Sequence, residues 1–331
     1  MVGVSHRMST PTDAISLVCT VRDEEDNIGA LLESMLAQTH LPDEIVVNDC
    51  KSLDRTAEIV KAYARRDPMI RLVHGGVNIS SGRNSAILHA RHAIIACTDA
   101  GLRLAPTWLE HIVRPIVEDD ADLVGGYPHP APQTTLEGVI AAANYRDVHE
   151  LATRAFVPYG QSTAFRIDVW RAVGGYPEWL DHCEDIFFAN RARAYGYRIR
   201  YEPRAVVYFR PRATLPSLAR QYFNYARGDA VGGLFGTRHA IRYSTYATGL
   251  ALLSRRSHAS ALICAVGASA YLKRPYRRFL TLFRPTTVTA MLDGIALLPV
   301  VRATDDLAKM AGYPVGLLQR YVRQRRPPAS D

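Results

Sequence analysis

The chain is poor in several features, and each shortage excludes a class. Its cysteines, Cys19, Cys50, Cys97, Cys183 and Cys264, are scattered, odd in number and form no CxxC pair. That argues against a disulfide framework and against a cysteine-built metal centre. Residues 1–13 lack the apolar core of a secretory signal, and with the cysteine usage this predicts a reducing, cytoplasmic setting. No apolar run reaches the roughly 20 uninterrupted residues of a membrane-spanning helix. Thr245–Leu253 and Ala259–Leu272 are separated by Ser254-Arg255-Arg256-Ser257-His258, and Thr286–Val301 holds Asp293 and Pro299. Neither an internal repeat nor a low-complexity tract is visible.

What is present is enough for a large core: 331 residues, 48% of them hydrophobic. The net charge of +8 is local. Residues 230–331 hold 15 Lys and Arg against 4 Asp and Glu, or +11, which leaves −3 for the remainder. A basic segment of this kind meets nucleic acid or an anionic membrane surface. The apolar stretches beside these charges favour the membrane, with helices lying in the bilayer interface and anchored by Lys273, Arg274, Arg277 and Arg278, and no nucleic-acid partner is expected. The alternative is a packed helical subdomain whose basic face is merely solvated.

Short apolar runs alternate with helical patterns from residue 14 onward. Ala14–Val21, Glu44–Val47, Met69–Val73, Ala93–Cys97 and Ala121–Val124 read as strands, and helices are expected around Ile28–Leu36, Ala57–Ala64, Ser80–His89 and Leu109–Ile116. That order means βαβ units, hence an α/β fold with a mostly parallel sheet and flanking helices. Thr134–Ala155 reads as a helical insertion, and Ile167–Val173 and Ile186–Tyr195 as helices with the strand Arg198–Glu202 closing the core. The expected organisation is a disordered 1–13, a catalytic domain over 14–212, and a basic, apolar helical region over 213–331.

Carboxylates stand where strands end, the edge at which open parallel sheets bind ligands. Asp49 follows the second strand and suits hydrogen bonds from a base or ribose. Asp54, five residues on, suits either a ligand or the cap of the next helix. Asp99 follows the fourth strand, where a carboxylate can hold Mg²⁺ or Mn²⁺ against a diphosphate, or simply make a turn before a glycine. Asp120-Ala121-Asp122 precedes a strand and is assigned to a solvated loop. Glu184-Asp185 opens a helix whose dipole favours the ionised carboxylate, which suits a general base as well as a cap; spacing alone does not choose between the two residues. Ser80–Asn84, with Arg83, offers an anion site at a helix N-terminus. His89 and His92 have no third ligand and read as surface histidines, and His182 is an acceptor-site candidate.

These residues together resemble an inverting family 2 glycosyltransferase with the Rossmann-like GT-A fold, over about Ala14–Arg212. The resemblance is carried by Cys19-Thr20-Val21-Arg22-Asp23-Glu24-Glu25, by Asp49-Cys50-Lys51-Ser52-Leu53-Asp54-Arg55-Thr56, and by Gly82-Arg83-Asn84. It continues through Asp99-Ala100-Gly101 at the DxD position, Gly160-Gln161-Ser162-Thr163-Ala164-Phe165-Arg166, and Glu184-Asp185 followed by Ala194-Tyr195-Gly196-Tyr197-Arg198-Ile199. It implies a nucleotide-diphosphate sugar donor lined by Thr20, Arg22, Glu24, Asp49, Asp54, Arg83, Asn84 and Asp99, with Glu24 and Asp49 on the nucleotide. Asp99 would hold Mg²⁺ or Mn²⁺, Arg83 would meet the departing diphosphate, Asp185, beside Glu184, would take the acceptor proton, and Gly160, Gln161 and Ser162 would lie on the acceptor side.

Two departures stand out: Gly101 replaces the second DxD carboxylate, which weakens the expected metal dependence, and Cys50-Lys51 stands where small glycines are usual. Gln221-Tyr222-Phe223-Asn224-Tyr225-Ala226-Arg227 lacks the Arg-Trp of processive synthases, so one sugar per encounter is expected, passed to a lipid-linked or cell-envelope glycan acceptor at the cytoplasmic membrane face. The rival readings are a sugar-nucleotide pyrophosphorylase, disfavoured by the acidic Arg22–Glu25 loop, and a non-catalytic, membrane-docked partner on the same fold, which Gly101 alone supports.

Overall fold

The computed structural model describes residues 13–152, 156–283 and 287–325; the expected disordered N-terminus, residues 1–13, lies outside them but for Asp13. The first elements are β1 (Ile15–Val21), α1 (Ile28–Leu36), β2 (Glu44–Asp49), α2 (Thr56–Arg66), β3 (Ile70–His74), α3 (Ile79–His89), β4 (Ile94–Asp99), β5 (Leu102–Leu104) and α4 (Trp108–Val117). They continue with β6 (Leu123–Pro130), α5 (Thr135–Asn144), α6 (Val148–Leu151), β7 (Ser162–Arg166), α7 (Ile167–Val173), α8 (Glu184–Ala194) and β8 (Ile199–Phe209). Last come α9 (Leu215–Gly232), α10 (Gly236–Ser254), α11 (His258–Arg278), a π-helical turn over Phe279–Phe283, and α12 (Val288–Arg325).

One sheet takes the strand order β3-β2-β1-β4-β7-β6-β8-β5. β3, β2, β1 and β4 run parallel, and β1 and β2 are buried along their whole length. Strands covered on both faces read as unbroken apolar runs, which is why AISLVCTV and EIVV stand out in the sequence. β7 then joins β4 antiparallel, as does β6 to β7 and β5 to β8, so the sheet is mixed. Val18, Val46, Ile87, Ile95, Phe165, Val173, Tyr176 and Phe188 form a core around it.

The chain divides into two compact units, residues 13–129 with Val148–Phe209, and residues 130–147 with 210–325. α5, read from the sequence as an insertion in the catalytic domain, therefore belongs to the second unit. There Val139, Ile140, Ala142 and Ala143 pack with Leu218, Tyr222, Phe279, Leu298 and Val301. The middle of α12 carries buried charge: Arg302 reaches Asp305 at 3.0 Å, Lys309 pairs with Asp305, and Arg242 reaches Asp306 at 2.9 Å. Tyr246 and Tyr271 donate to the same Asp306 carboxylate. Buried charges persist only when paired in this way. Among the described residues no helix is long and apolar enough to cross a membrane.

Candidate functional site

β1 lies between β2 and β4, and the register places Val21 opposite Asp49 and Thr20 opposite Asp99. The two carboxylates therefore flank the end of one strand, two strand spacings or about 10 Å apart. Asp49 is buried. It accepts from the Ser52 amide at 3.3 Å and lies 3.4 Å from His74 Nδ1. His74 was missed from the sequence; its signal is position, since it ends β3 in register with Asp49.

The loops after β1 and β2 are stapled together. The Asp23 amide donates to Ser52 Oγ and the Leu53 amide to Asp23, the Glu24 amide donates to Thr56 Oγ1, and the Glu25 amide donates to Asp54 Oδ2 at 3.0 Å. Asp54 also accepts from the Thr56 amide at 2.9 Å and from its hydroxyl, one residue ahead of Arg55, the N-cap of α2. These bonds hold its carboxyl below the usual carboxylate range against the opposing pull of desolvation. Arg22 is exposed beside Asp23. The Glu24 side chain accepts from Asn27 and is the group that a Cβ on Gly101 would face, at 3.8 Å. Thr20 is buried with its hydroxyl against Cys50 Sγ and the Asn48 carbonyl, and it packs on Gly82, where a Cβ would meet it at 2.2 Å.

Lys51 adopts φ +61°, a left-handed conformation that glycine takes freely and other L-residues take at a cost of roughly 1–2 kcal/mol. The side chain is exposed. This explains why small glycines are usual at the position and marks the lysine as held there against its own preference.

The helix α3 corrects the sequence reading. Its first turn is no open anion site: Asn78 and Ser81 form a reciprocal capping box, and Asn78 also donates to the Glu178 carbonyl and to Asp181. Ser80 to Asn84 are all buried. Asn84 has no capacity left for a donor, because its amide nitrogen serves the Tyr176 carbonyl and Glu178 while its oxygen accepts from Trp170 Nε1 and the Tyr176 amide. Arg83 is 2% exposed and lies across the cluster rather than at the crevice mouth. One terminal nitrogen pairs with Asp99, the other reaches Glu184 Oε1 at 2.5 Å, and Tyr176 lies under the guanidinium. Among the described residues Arg83 Nε has no partner. Gly160 abuts the guanidinium so closely that a Cβ there would fall 2.4 Å from it, a reason for glycine invisible in the sequence.

Glu184 and Asp185 differ in their partners. Glu184 is buried and clamped to Arg83; burial pushes its carboxyl up to about 7 despite that arginine. Asp185 is half-buried and, among the described residues, accepts only backbone bonds, from Gly160 at 2.8 Å and Ile186 at 2.7 Å. Its carboxyl is also raised, by burial first, with Arg83 and the two amides opposing. The pair follows Cys183, which sits at φ +65°. His182 precedes them, half-buried. Gln161 accepts from Thr98 Oγ1 through its carbonyl. Ser162, expected on the acceptor side, is a core residue: it accepts from Trp108 Nε1 at 2.8 Å and is 1% exposed. The Asp120 and Asp122 pair is tied to Arg200 and Arg198 at the opposite end of the sheet.

Among the described residues no three His, Cys, Asp or Glu side chains gather to hold a metal ion. At the DxD position Asp99 carries the carboxylate and Gly101 none, and Arg83 engages one of the Asp99 oxygens. That donor set fits a hard cation that takes one protein oxygen and draws the rest from phosphates and water.

Residues 16–168 match the family described as Glycosyl transferase family 2. The chain carries a family 2 glycosyltransferase domain. Succinoglycan biosynthesis protein ExoA of Rhizobium meliloti is 29% identical over 68% of this chain and 71% of its own length. A poly-β-1,6-N-acetyl-D-glucosamine synthase of Staphylococcus epidermidis is 23% identical over 65% of this chain and 54% of its own. The solved mannosyltransferase PcManGT of Pyrobaculum calidifontis, in complex with GDP-Man and Mn²⁺, superposes with a TM-score of 0.56 at 16% identity, covering 96% of this chain and 89% of that one. At that identity the likeness establishes the GT-A fold. The chain is thus a glycosyltransferase with relatives named for polysaccharide synthesis.

Proposed function

We propose that this glycosyltransferase moves one sugar from a nucleotide-diphosphate sugar to a hydroxyl of a lipid-linked or cell-envelope acceptor at the cytoplasmic membrane face, inverting the anomeric carbon. The observation that carries this reading is the division of labour within the Glu184-Asp185 pair. Glu184 is spent on Arg83, whereas Asp185, fixed by two amides, keeps lone pairs for an incoming hydroxyl. The acceptor oxygen attacks the anomeric carbon, the bond to the diphosphate breaks with its electron pair, and the hydroxyl proton passes to Asp185. Burial, which raises the Asp185 carboxyl, makes it a stronger base than an ordinary aspartate.

Asp49 and Glu24 bind the nucleoside, at the ends of β2 and β1. Asp99 would hold Mg²⁺ or Mn²⁺, which when bound neutralises charge on the departing diphosphate. Arg83 acts at one remove, holding Asp99 and Glu184 in place. Lys51 is the exposed cation of the donor loop and the candidate for direct phosphate contact. The PcManGT complex, with its sugar nucleotide and Mn²⁺, supports the donor class.

The test is calorimetric titration of UDP, GDP and dTDP, with Mn²⁺ and with EDTA, on the native chain and on Asp185→Asn. Metal-dependent binding of one nucleotide that survives in the variant, with transfer abolished, is the expected result. Loss of binding in the variant would make Asp185 structural. No binding by the native chain would favour a non-catalytic, membrane-docked partner, the reading that Gly101 and the Arg83-engaged Asp99 support.

A further inference from the structure

Of the large apolar side chains that stand exposed among the described residues, the greater part lies between Ile241 and Val322, in the second unit. One group of them lies where α10 turns into α11. The two helices form a hairpin through a three-residue turn, 255–257, and Cys264 Sγ lies 3.9 Å from the Gly249 carbonyl across it. From Ala247 to Ala270 only Ser260 is buried. Leu250, Leu253, Leu262, Ile263 and Val266 are each more than half exposed. A Cβ placed on Gly249 or Gly267 would meet nothing within 4 Å.

Charge supplies the identity of what covers this face. Between Ala230 and Leu292 the sequence holds no aspartate or glutamate, while Arg255 and Arg256 at the turn and Lys273 and Arg274 at the far end of α11 are exposed. Nearby carboxylates offset them little: Asp305 and Asp306 are buried against Arg302, Lys309 and Arg242, Asp229 is paired with His239, and Asp293, exposed near the start of α12, is a single acid against four cations. The surface is thus apolar in its middle and cationic at both ends. A second copy of this chain would bring like charges together, whereas nucleic acid would leave the leucines in water.

We infer that the α10–α11 hairpin docks on an anionic lipid bilayer, lying in its interface with Leu250, Leu253, Leu262, Ile263 and Val266 among the acyl chains. Arg255, Arg256, Lys273 and Arg274 reach the phosphate headgroups. The orientation follows from length. The longer uncharged arm, Ala259–Leu272, extends about 21 Å, too short for a hydrocarbon core of about 30 Å. Upright insertion would strand both turn arginines near the bilayer centre, where charge is expensive. Lying flat keeps the arginines at headgroup level.

The experiment is flotation of the full chain with vesicles of phosphatidylcholine alone and of phosphatidylcholine mixed with phosphatidylglycerol. Circular dichroism and nucleotide calorimetry on each variant exclude misfolding and keep the result separate from the donor reading. Each cation near an anionic surface contributes about fivefold in partitioning, so Arg255→Gln with Arg256→Gln should weaken binding to the mixed vesicles about 25-fold. Leu262→Asn with Ile263→Asn should weaken it at least about tenfold, and Leu250→Asn with Leu253→Asn should behave alike as a check on the second arm. Equal binding to neutral vesicles, or none to either, would overturn the inference. So would self-association abolished by the Leu262 and Ile263 pair without vesicle binding, or a preference for DNA over the mixed vesicles.

Discussion

Replacing Glu184 by glutamine isolates the electrostatics of the site. Glu184 titrates near 4.5 when unfolded and at about 7 in the fold, because burial outweighs the pull of Arg83. A folded value above the unfolded one means the contribution to stability is fully present below 4.5 and is lost as pH rises through 7. Above both values the gap, 7 minus 4.5 or about 2.5 units, corresponds to about 3 kcal/mol of lost stability. At about pH 5 the same group costs under about 1 kcal/mol. Glutamine keeps an oxygen for Arg83 and cannot ionise, so the stability of Glu184→Gln relative to the native chain should rise by about 2–3 kcal/mol between about pH 5 and pH 8.5. Urea unfolding followed by tryptophan fluorescence measures this cleanly, because Trp108, Trp170 and Trp179 all lie in the first unit. Comparing the same pair of proteins at two pH values cancels any constant cost of the amide. A stability difference that does not change with pH would mean that Arg83 fully neutralises the desolvation of Glu184, and the separation of Glu184 from Asp185 would lose its basis.

Gly160→Ala should cost transfer about a hundredfold in kcat, with donor affinity nearly unchanged, since its Cβ would press into a guanidinium held at both ends; a normal kcat would show that Arg83 can move aside freely. Lys51→Gly should stabilise the fold by up to about 1 kcal/mol, read as a rise in Tm, and weaken nucleotide-diphosphate binding severalfold by calorimetry; unchanged affinity would leave Lys51 facing solvent alone. The acid limb of the kcat/KM profile should fall above the ordinary carboxylate range, because burial raises both members of the Glu184–Asp185 pair, and Glu184→Gln should move it; a limb near 4 in both proteins would contradict the assignment of the base.

The four parallel strands and their helices were legible because strands buried on both faces leave unbroken apolar runs, and because carboxylates at their ends sit at loop positions fixed by that alternation. The antiparallel half was harder. β7 follows a loop and contacts β4 from far along the chain, and β5 has three residues, too few for a period to emerge. The exposed, basic character of the α10–α11 hairpin was foreshadowed by composition, since a segment without acidic residues keeps its charge wherever it folds. That α5 packs with α11 and α12 rather than with the sheet was not, because no local pattern encodes a partner so far away in sequence.

By itself the sequence determined which residue types arrive at the ends of β2 and β4 and at the start of α8, and hence that Asp49, Asp99 and the Glu184-Asp185 pair stand there. Only the tertiary structure decided which partners each of them has. It turned Arg83 inward between Asp99 and Glu184, filled every hydrogen-bonding position of Asn84, sank Ser162 into the core and left Asp185 on two amides. The reason is physical: a residue's type fixes what it can bind, but which partner it binds, and what burial costs its charge, depends on neighbours brought from a hundred residues away.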